Sequence, residues 1–286
     1  MKKLFLTIAI IGFLFSACSD NPNNLKESIT SAEDNAMVET QLSSVFEILD
    51  DVASSDPKLK KTAGTILPSG ATLTYTDSLF SDGDGIEFNI DFGAKGSLAP
   101  FGLLCQDGRY RAGILRATLS APYSSIGATL TLDIADVDSF FSGDGTDMYQ
   151  IVGNTLISRT ELNKLTIVMT DMKVKDGAST VTWSSNKEIV RTFDAGLGVW
   201  KDHFEITGSG NGTNRNGEAF TVNIDKALLK KVETGCAKTF VSGIITLEVT
   251  GSGQKIIVNY DPYGNGVCDN LAEADINGKK TLFRVK

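Results

Sequence analysis

A solitary imidazole narrows the nucleophilic chemistry open to this chain. His203, in Trp200-Lys201-Asp202-His203-Phe204, is the only histidine among 286 residues. A Ser-His-Asp triad would have to use it, yet no Gly-x-Ser-x-Gly elbow is present to offer a serine. Its position at the head of an apolar run reads as a strand-end histidine. An HExxH zinc helix, a Walker loop and a dinucleotide fingerprint are also missing from the sequence. The residue types therefore imply no catalytic residue and no cofactor.

Carboxylates are the other source of chemistry. Two acids at a suitable separation can cleave a glycosidic bond, but with 35 acidic residues the sequence selects no pair. Three Asp/Gly clusters stand out: Asp82-Gly83-Asp84-Gly85, Asp144-Gly145-Thr146-Asp147 and the stretch from Asp261 to Asp269. Alternating aspartates can ligate calcium through oxygen, which makes Asp82, Asp84, Asp144 and Asp147 the candidate ligands. None of the clusters has the glycine and closing glutamate of an EF-hand. Asp-Gly is also a favoured hairpin turn, so turns without metal are expected. Asp77-Ser78-Leu79 matches a short Asp-Ser/Thr-aliphatic O-glycosylation pattern. Trp183, Trp200 and the tyrosines are candidates for a sugar-stacking platform or for core packing.

Cysteine chemistry divides between the two ends of the chain. Met1-Lys2-Lys3 followed by apolar Leu4 to Phe15 is a positive segment plus an apolar run, too short to span a bilayer, which takes about 20 residues; it fits a secretory signal. The run closes in Leu14-Phe15-Ser16-Ala17-Cys18, which resembles the bacterial lipobox. That resemblance implies removal of residues 1–17, lipidation of the Cys18 thiol and residence in the cell envelope as an outer-membrane lipoprotein. Acyl chains supply about 0.8 kcal/mol per buried CH₂, so no transmembrane helix is needed. Polar residues from Ser19 to Asn24 then form a flexible tether spanning 18–30. Asp20, just after the cysteine, resembles the acidic residues that follow it in surface-exported Bacteroidota lipoproteins, and the resemblance implies surface exposure.

The remaining cysteines are Cys105, Cys236 and Cys268. An oxidising envelope favours a disulfide. A hairpin turning at Ser252, within Thr250-Gly251-Ser252-Gly253-Gln254, would bring Cys236 opposite Cys268. That loop would be stabilised by roughly 3–4 kcal/mol on the chain-entropy estimate. Cys105 is then free, either buried as a small hydrophobe or competing for a partner. No CxxC exists for zinc.

The elements that position these groups follow from periodicity. Val38, Leu42, Val45, Phe46, Leu49 and Val52 recur at three- and four-residue steps, predicting one amphipathic helix within 31–56. Ser31 is its expected N-cap, Asp56-Pro57 its stop, and Glu39, Glu47, Asp50 and Asp51 are expected on the solvent side. From Gly70 onward the period becomes two: Ala71 to Tyr75, Ile86 to Phe92, Thr129 to Ile134, Leu165 to Met169, Thr180 to Trp183, Ile189 to Phe193, Phe204 to Thr207, Phe220 to Ile224, Ile244 to Val249 and Ile256 to Tyr260. Gly, Asn or Asp bound nearly all of them, and Asn211-Gly212 and Asn216-Gly217 read as turns. Alternation with one polar face predicts antiparallel strands. The fold class is all-β, an antiparallel meander, sandwich or elongated stacked sheet over 62–286, with one N-terminal amphipathic helix. A net charge of −8 excludes a nucleic-acid partner.

Several strings together carry a wider likeness: Ile90-Asp91-Phe92-Gly93, Cys105-Gln106-Asp107-Gly108-Arg109-Tyr110-Arg111-Ala112-Gly113, Phe204-Glu205-Ile206-Thr207-Gly208-Ser209-Gly210, Cys268-Asp269-Asn270 and Asn277-Gly278. With the lipobox, they resemble a family of uncharacterised Bacteroidota β-rich cell-envelope lipoproteins. The likeness supports address and fold and implies no activity. Physically, Asp107-Gly108 is a turn, after which Arg109 and Arg111 share one strand face suited to a carboxylate, internal or foreign. The expected role is a membrane-anchored, non-enzymatic module, structural or binding a glycan or another envelope protein. The alternative is a glycan-directed hydrolase.

Overall fold

The computed structural model describes residues 29–285 apart from 56–65, 78, 193–201, 234–235 and 237–239. Cys18 with its signal and tether, the Asp56-Pro57 stop, Ser78 and Trp200 lie outside the described residues. Among the described residues one α-helix, α1 (Thr30–Ser55), is followed by sixteen strands, with a short 3-10 turn at Asp136–Asp138. These are β1 (Thr72–Tyr75), β2 (Ile86–Asp91), β3 (Leu103–Leu104), β4 (Tyr110–Ala112), β5 (Ile114–Leu119), β6 (Thr129–Ile134), β7 (Phe141–Gly143) and β8 (Met148–Glu161). The second half holds β9 (Lys164–Asp176), β10 (Ser179–Thr192), β11 (His203–Thr213), β12 (Ala219–Lys231), β13 (Phe240–Val249), β14 (Gln254–Asn259), β15 (Leu271–Ile276) and β16 (Lys279–Arg284).

All strands join one antiparallel sheet in the order β1-β2-β5-β6-β8-β9-β10-β11-β12-β13-β14-β15-β16, with β3, β4 and β7 beside β8. The run β8 to β16 is an unbroken meander, as expected from short Gly- and Asn-bearing links. The predicted strand at Thr180 to Trp183 and the one at Ile189 are a single strand, β10: Ser184, Ser185, Asn186 and Lys187 between them keep the alternation going. Asn211-Gly212 is likewise no turn but the end of β11, paired with Ser184 and Trp183. Its glycine has a steric reason. A Cβ on Gly210 would come within 2.4 Å of the Trp183 indole and one on Gly212 within 2.0 Å of the Thr182 carbonyl oxygen. The buried Trp183 ring thus occupies the room that β11 side chains would take, stacking on Phe220.

The sheet bends. Register shifts fall at Val152/Asn154 on β8, Trp183/Ser185 on β10, Ile206/Ser209 on β11 and Ile224/Lys226 on β12. Gly153, Asp171, Gly208 and Gly243 have φ of 131°, 51°, 127° and 131° at this level. Each bulge bends its strand and adds local twist, so together they crease the sheet across its long strands.

The crease curls the sheet around α1, and here expectation and structure part. The helix does not show a polar face to water. Glu39, Glu47, Asp50 and Asp51 are all buried, together with Asp34, Asn35, Gln41 and Ser44. Its apolar stripe, including Val38, Leu42, Phe46 and Leu49, shares one core with strands from β2 to β16. Its acidic face meets basic side chains that point inward from the sheet. Lys187 pairs with Glu39, Arg191 with Asp50 and Asp202, and Lys230 with Glu47. Tyr123 donates to Asp50 at 2.6 Å, and the Ile66 amide donates to Asp51 at 2.5 Å. Burial of ions is tolerable only when each is paired and hydrogen-bonded, and these contacts supply the pairing. Ser31 lies inside the helix rather than capping it, and its hydroxyl accepts a bond from Asn214 at 2.9 Å.

Candidate functional site

The residues singled out for chemistry mostly turn out to hold the fold. His203 is the first residue of β11, half-buried and paired with Thr192 and Lys231. Asp144 is a turn residue whose carboxylate accepts from the Thr146 and Asp147 amides at 2.8 and 2.7 Å. Asp261 closes its loop in the same way on Asn265 and Gly266. Asp82 and Asp84 come together with Asp77 on a surface loop. Asp82 beside Asp84 raises the Asp84 carboxyl above its usual range. Arg109 and Arg111 serve internal partners. Arg111 makes a two-point pair with Asp107, at 2.9 and 2.5 Å, and Arg109 donates to Gln41 on α1 at 3.3 Å.

Cys236 and Cys268 form the disulfide, their Cα atoms 5.0 Å apart. Cys105 is a free, buried thiol whose ionisation is pushed up by that burial. The hairpin that led to the pairing is one residue out of the expected register. β13 and β14 pair Val249 with Gln254 and Ile244 with Asn259, so the axis lies before Ser252, and the irregular segments leading to both cysteines absorb the difference. The tyrosines form no stacking strip among the described residues: Tyr123, Tyr149 and Tyr260 are buried, and only Tyr263 is exposed.

One further site was not legible from any motif. A shallow depression of about 570 Å³ crosses the outer face of β9 to β13 beside the crease. Because the side-chain period is two, residues at one register level on successive strands share a face. Leu156, Val168, Asn186, Ser209, Asn223, Thr246 and Ile257 are successive Cα partners on seven neighbouring strands. With strands 4.7–4.9 Å apart, that row runs for roughly 29 Å perpendicular to the chain direction.

Its ends are apolar and its middle is neutral and polar. The side chains of Asn186, Ser209 and Asn211 are exposed and make no hydrogen bond among the described residues. Asn223 donates to Asp225 at 2.7 Å, and Thr246 donates to the same carboxylate at 2.6 Å, which fixes that wall. Glu248 is the one acid lining the depression. Short Asn, Ser and Thr side chains hold donors and acceptors in place at low entropic cost, a surface suited to hydroxyl groups. A signal existed in the sequence: the non-core positions of these strands read Ser, Asn and Thr where a solvated sheet face more often carries Lys and Glu.

No protein-family model, curated protein or solved structure matches the chain.

Proposed function

We propose that the chain is a lipid-anchored lipoprotein of the cell envelope, tethered through Cys18 to the outer membrane and exposed at the surface. Its curled sheet is a non-enzymatic module that holds an extended hydroxyl-rich polymer, a glycan, along the outer trough. The observation that carries the reading is the row of short polar side chains across β10 to β13, with the amides of Asn186 and Asn211 and the hydroxyl of Ser209 free to bond a ligand. Of the two carboxylates at the trough, Asp225 is held by Asn223 and Thr246, leaving Glu248 alone, which favours retention over cleavage of such a polymer. The anchor rests on the lipobox-like sequence at Leu14 to Cys18.

Retention of the mature chain on a panel of immobilised polysaccharides, with product analysis, tests the module. The expected result is binding without released sugar, weakened about tenfold by the double change Asn186→Ala, Asn211→Ala (roughly 1.4 kcal/mol) with an unmoved melting temperature. Released product would favour the hydrolase, and equal retention of the double variant would remove the trough from the account. For the anchor, cells fed labelled palmitate should label this polypeptide and the Cys18→Ala variant should leave the membrane fraction; an unlabelled chain overturns the address.

A further inference from the structure

A second cavity shares no lining residue with the outer trough. It has a volume of about 280 Å³ and opens beside the first turn of α1. Its floor is apolar, made by Met37, Val174 and Val181, and its rim carries Asp176 and Arg284.

Three observations point to a ligand. Tyr149 lines the cavity and is 4 % exposed, yet its hydroxyl has no hydrogen-bond partner among the described residues. After burial itself, the charges acting on that hydroxyl are led by Asp147, outside the cavity, followed by Asp176, which lines it. Burial and the nearby aspartates push its ionisation up to about 12, so it stays a proton donor at neutral pH. Secondly, Asp176 has no ion-pair partner among the described residues. Thirdly, among the described residues the Arg284 guanidinium is engaged only by the Asp269 carbonyl at 3.2 Å. The two charges, both exposed, share this cavity without pairing with each other. Arg215, by contrast, is committed to Asp34, with Nε 2.6 Å from the carboxylate.

We propose that this cavity binds a small zwitterion with an apolar side chain, an α-amino acid or short peptide. The ligand's ammonium sits at Asp176, with Glu33 nearby, and its carboxylate at Arg284 and the Tyr149 hydroxyl. The side chain rests on Met37, Val174 and Val181. Separate anionic and cationic groups reward a ligand with both charges, because each charge-assisted bond is about twice as strong as a neutral one.

Calorimetric titration of the full mature chain with L-leucine tests this. Saturable binding is expected, with N-acetyl-L-leucine, which lacks the ammonium, and L-leucinamide, which lacks the carboxylate, each about tenfold weaker. Asp176→Asn should erase the discrimination against N-acetyl-leucine, and Arg284→Gln that against leucinamide. Tyr149→Phe should weaken leucine about fivefold and leave the melting temperature unchanged, since no protein bond is lost. No saturation at millimolar leucine, leucinamide binding as well as leucine, or displacement of leucine by glucose overturns the proposal. The leucine result is separable from polysaccharide retention, because the two surfaces share no lining residue.

Discussion

Lys230 on β12 and Glu47 on α1 face each other at 3.1 Å with both side chains 1 % exposed. The contact is an ion pair without hydrogen-bond alignment, since neither partner's polar atoms find a bond of good geometry. Burial raises the Glu47 carboxyl against the attraction of Lys230, and burial likewise lowers the Lys230 ammonium. Each ion is therefore held mainly by the other. Lys230→Met alone should cost about 3–5 kcal/mol by leaving the Glu47 carboxylate buried without its partner. The double change Glu47→Gln, Lys230→Met should recover most of that loss. Urea denaturation of the native, single and double proteins measures it, and equal losses in the single and the double would show that the charges do not depend on one another.

Asp107 and Glu47 should give opposite pH dependences. Burial works to raise the Asp107 carboxyl, but Arg111 outweighs it and holds the group below its ordinary value of 3.8. A depressed carboxyl contributes stability that is full above the unfolded value and is lost as pH falls through the folded one. The gap in unfolding free energy between the native sequence and Asp107→Asn should thus narrow as pH drops below 3.8. Glu47 is raised above 4.5, so its contribution is full below that value and is lost as pH rises through its folded one. The comparison with Glu47→Gln should therefore move against the native sequence as pH rises past 4.5. Parallel curves for both variants would contradict the assigned directions.

Gly210 should be intolerant of the smallest side chain. Its Cβ would sit 2.4 and 2.5 Å from two carbons of the Trp183 indole, and Trp183 is packed against Phe220 and cannot yield freely. Gly210→Ala should cost about 1–3 kcal/mol as overpacking, with changed near-ultraviolet circular dichroism. Adding Trp183→Leu should reverse part of the strain; if alanine is neutral, the indole has more freedom than the packing shows.

Cysteine reactivity should separate the buried Cys105 thiol from the Cys236–Cys268 disulfide. Reduction of Cys236–Cys268 opens a loop with a sequence separation of 32, costing about 3–4 kcal/mol on the chain-entropy estimate. Cys105 should resist alkylation in the native state and react only on unfolding, because it is buried and its thiolate is disfavoured. Peptide mapping that links Cys105 to either other cysteine would overturn the pairing.

Much of this was legible from residue order alone. Period-two alternation from Gly70 gave antiparallel strands, and a three- and four-residue stripe gave one helix, because both signals are local. The Asp-Gly turns and the disulfide partners were equally visible, since turn chemistry and loop geometry act over short separations. The solvent side of α1 was not. Lys187 and Arg191 do share strand phase with Trp183 and Ile189, a hint that basic groups point inward, but phase does not say what they meet. A charged helix face reads as solvated because water is the usual partner for carboxylates. Only the crease through Gly153, Asp171, Gly208 and Gly243, which curls distant strands around α1, puts Lys187, Arg191 and Lys230 where that water would be. The outer trough and the Tyr149 cavity have the same origin. The cavity joins elements far apart in sequence and the trough lies on consecutive strands beside the crease, so local order fixed which residues were available and tertiary curvature decided which of them face one another.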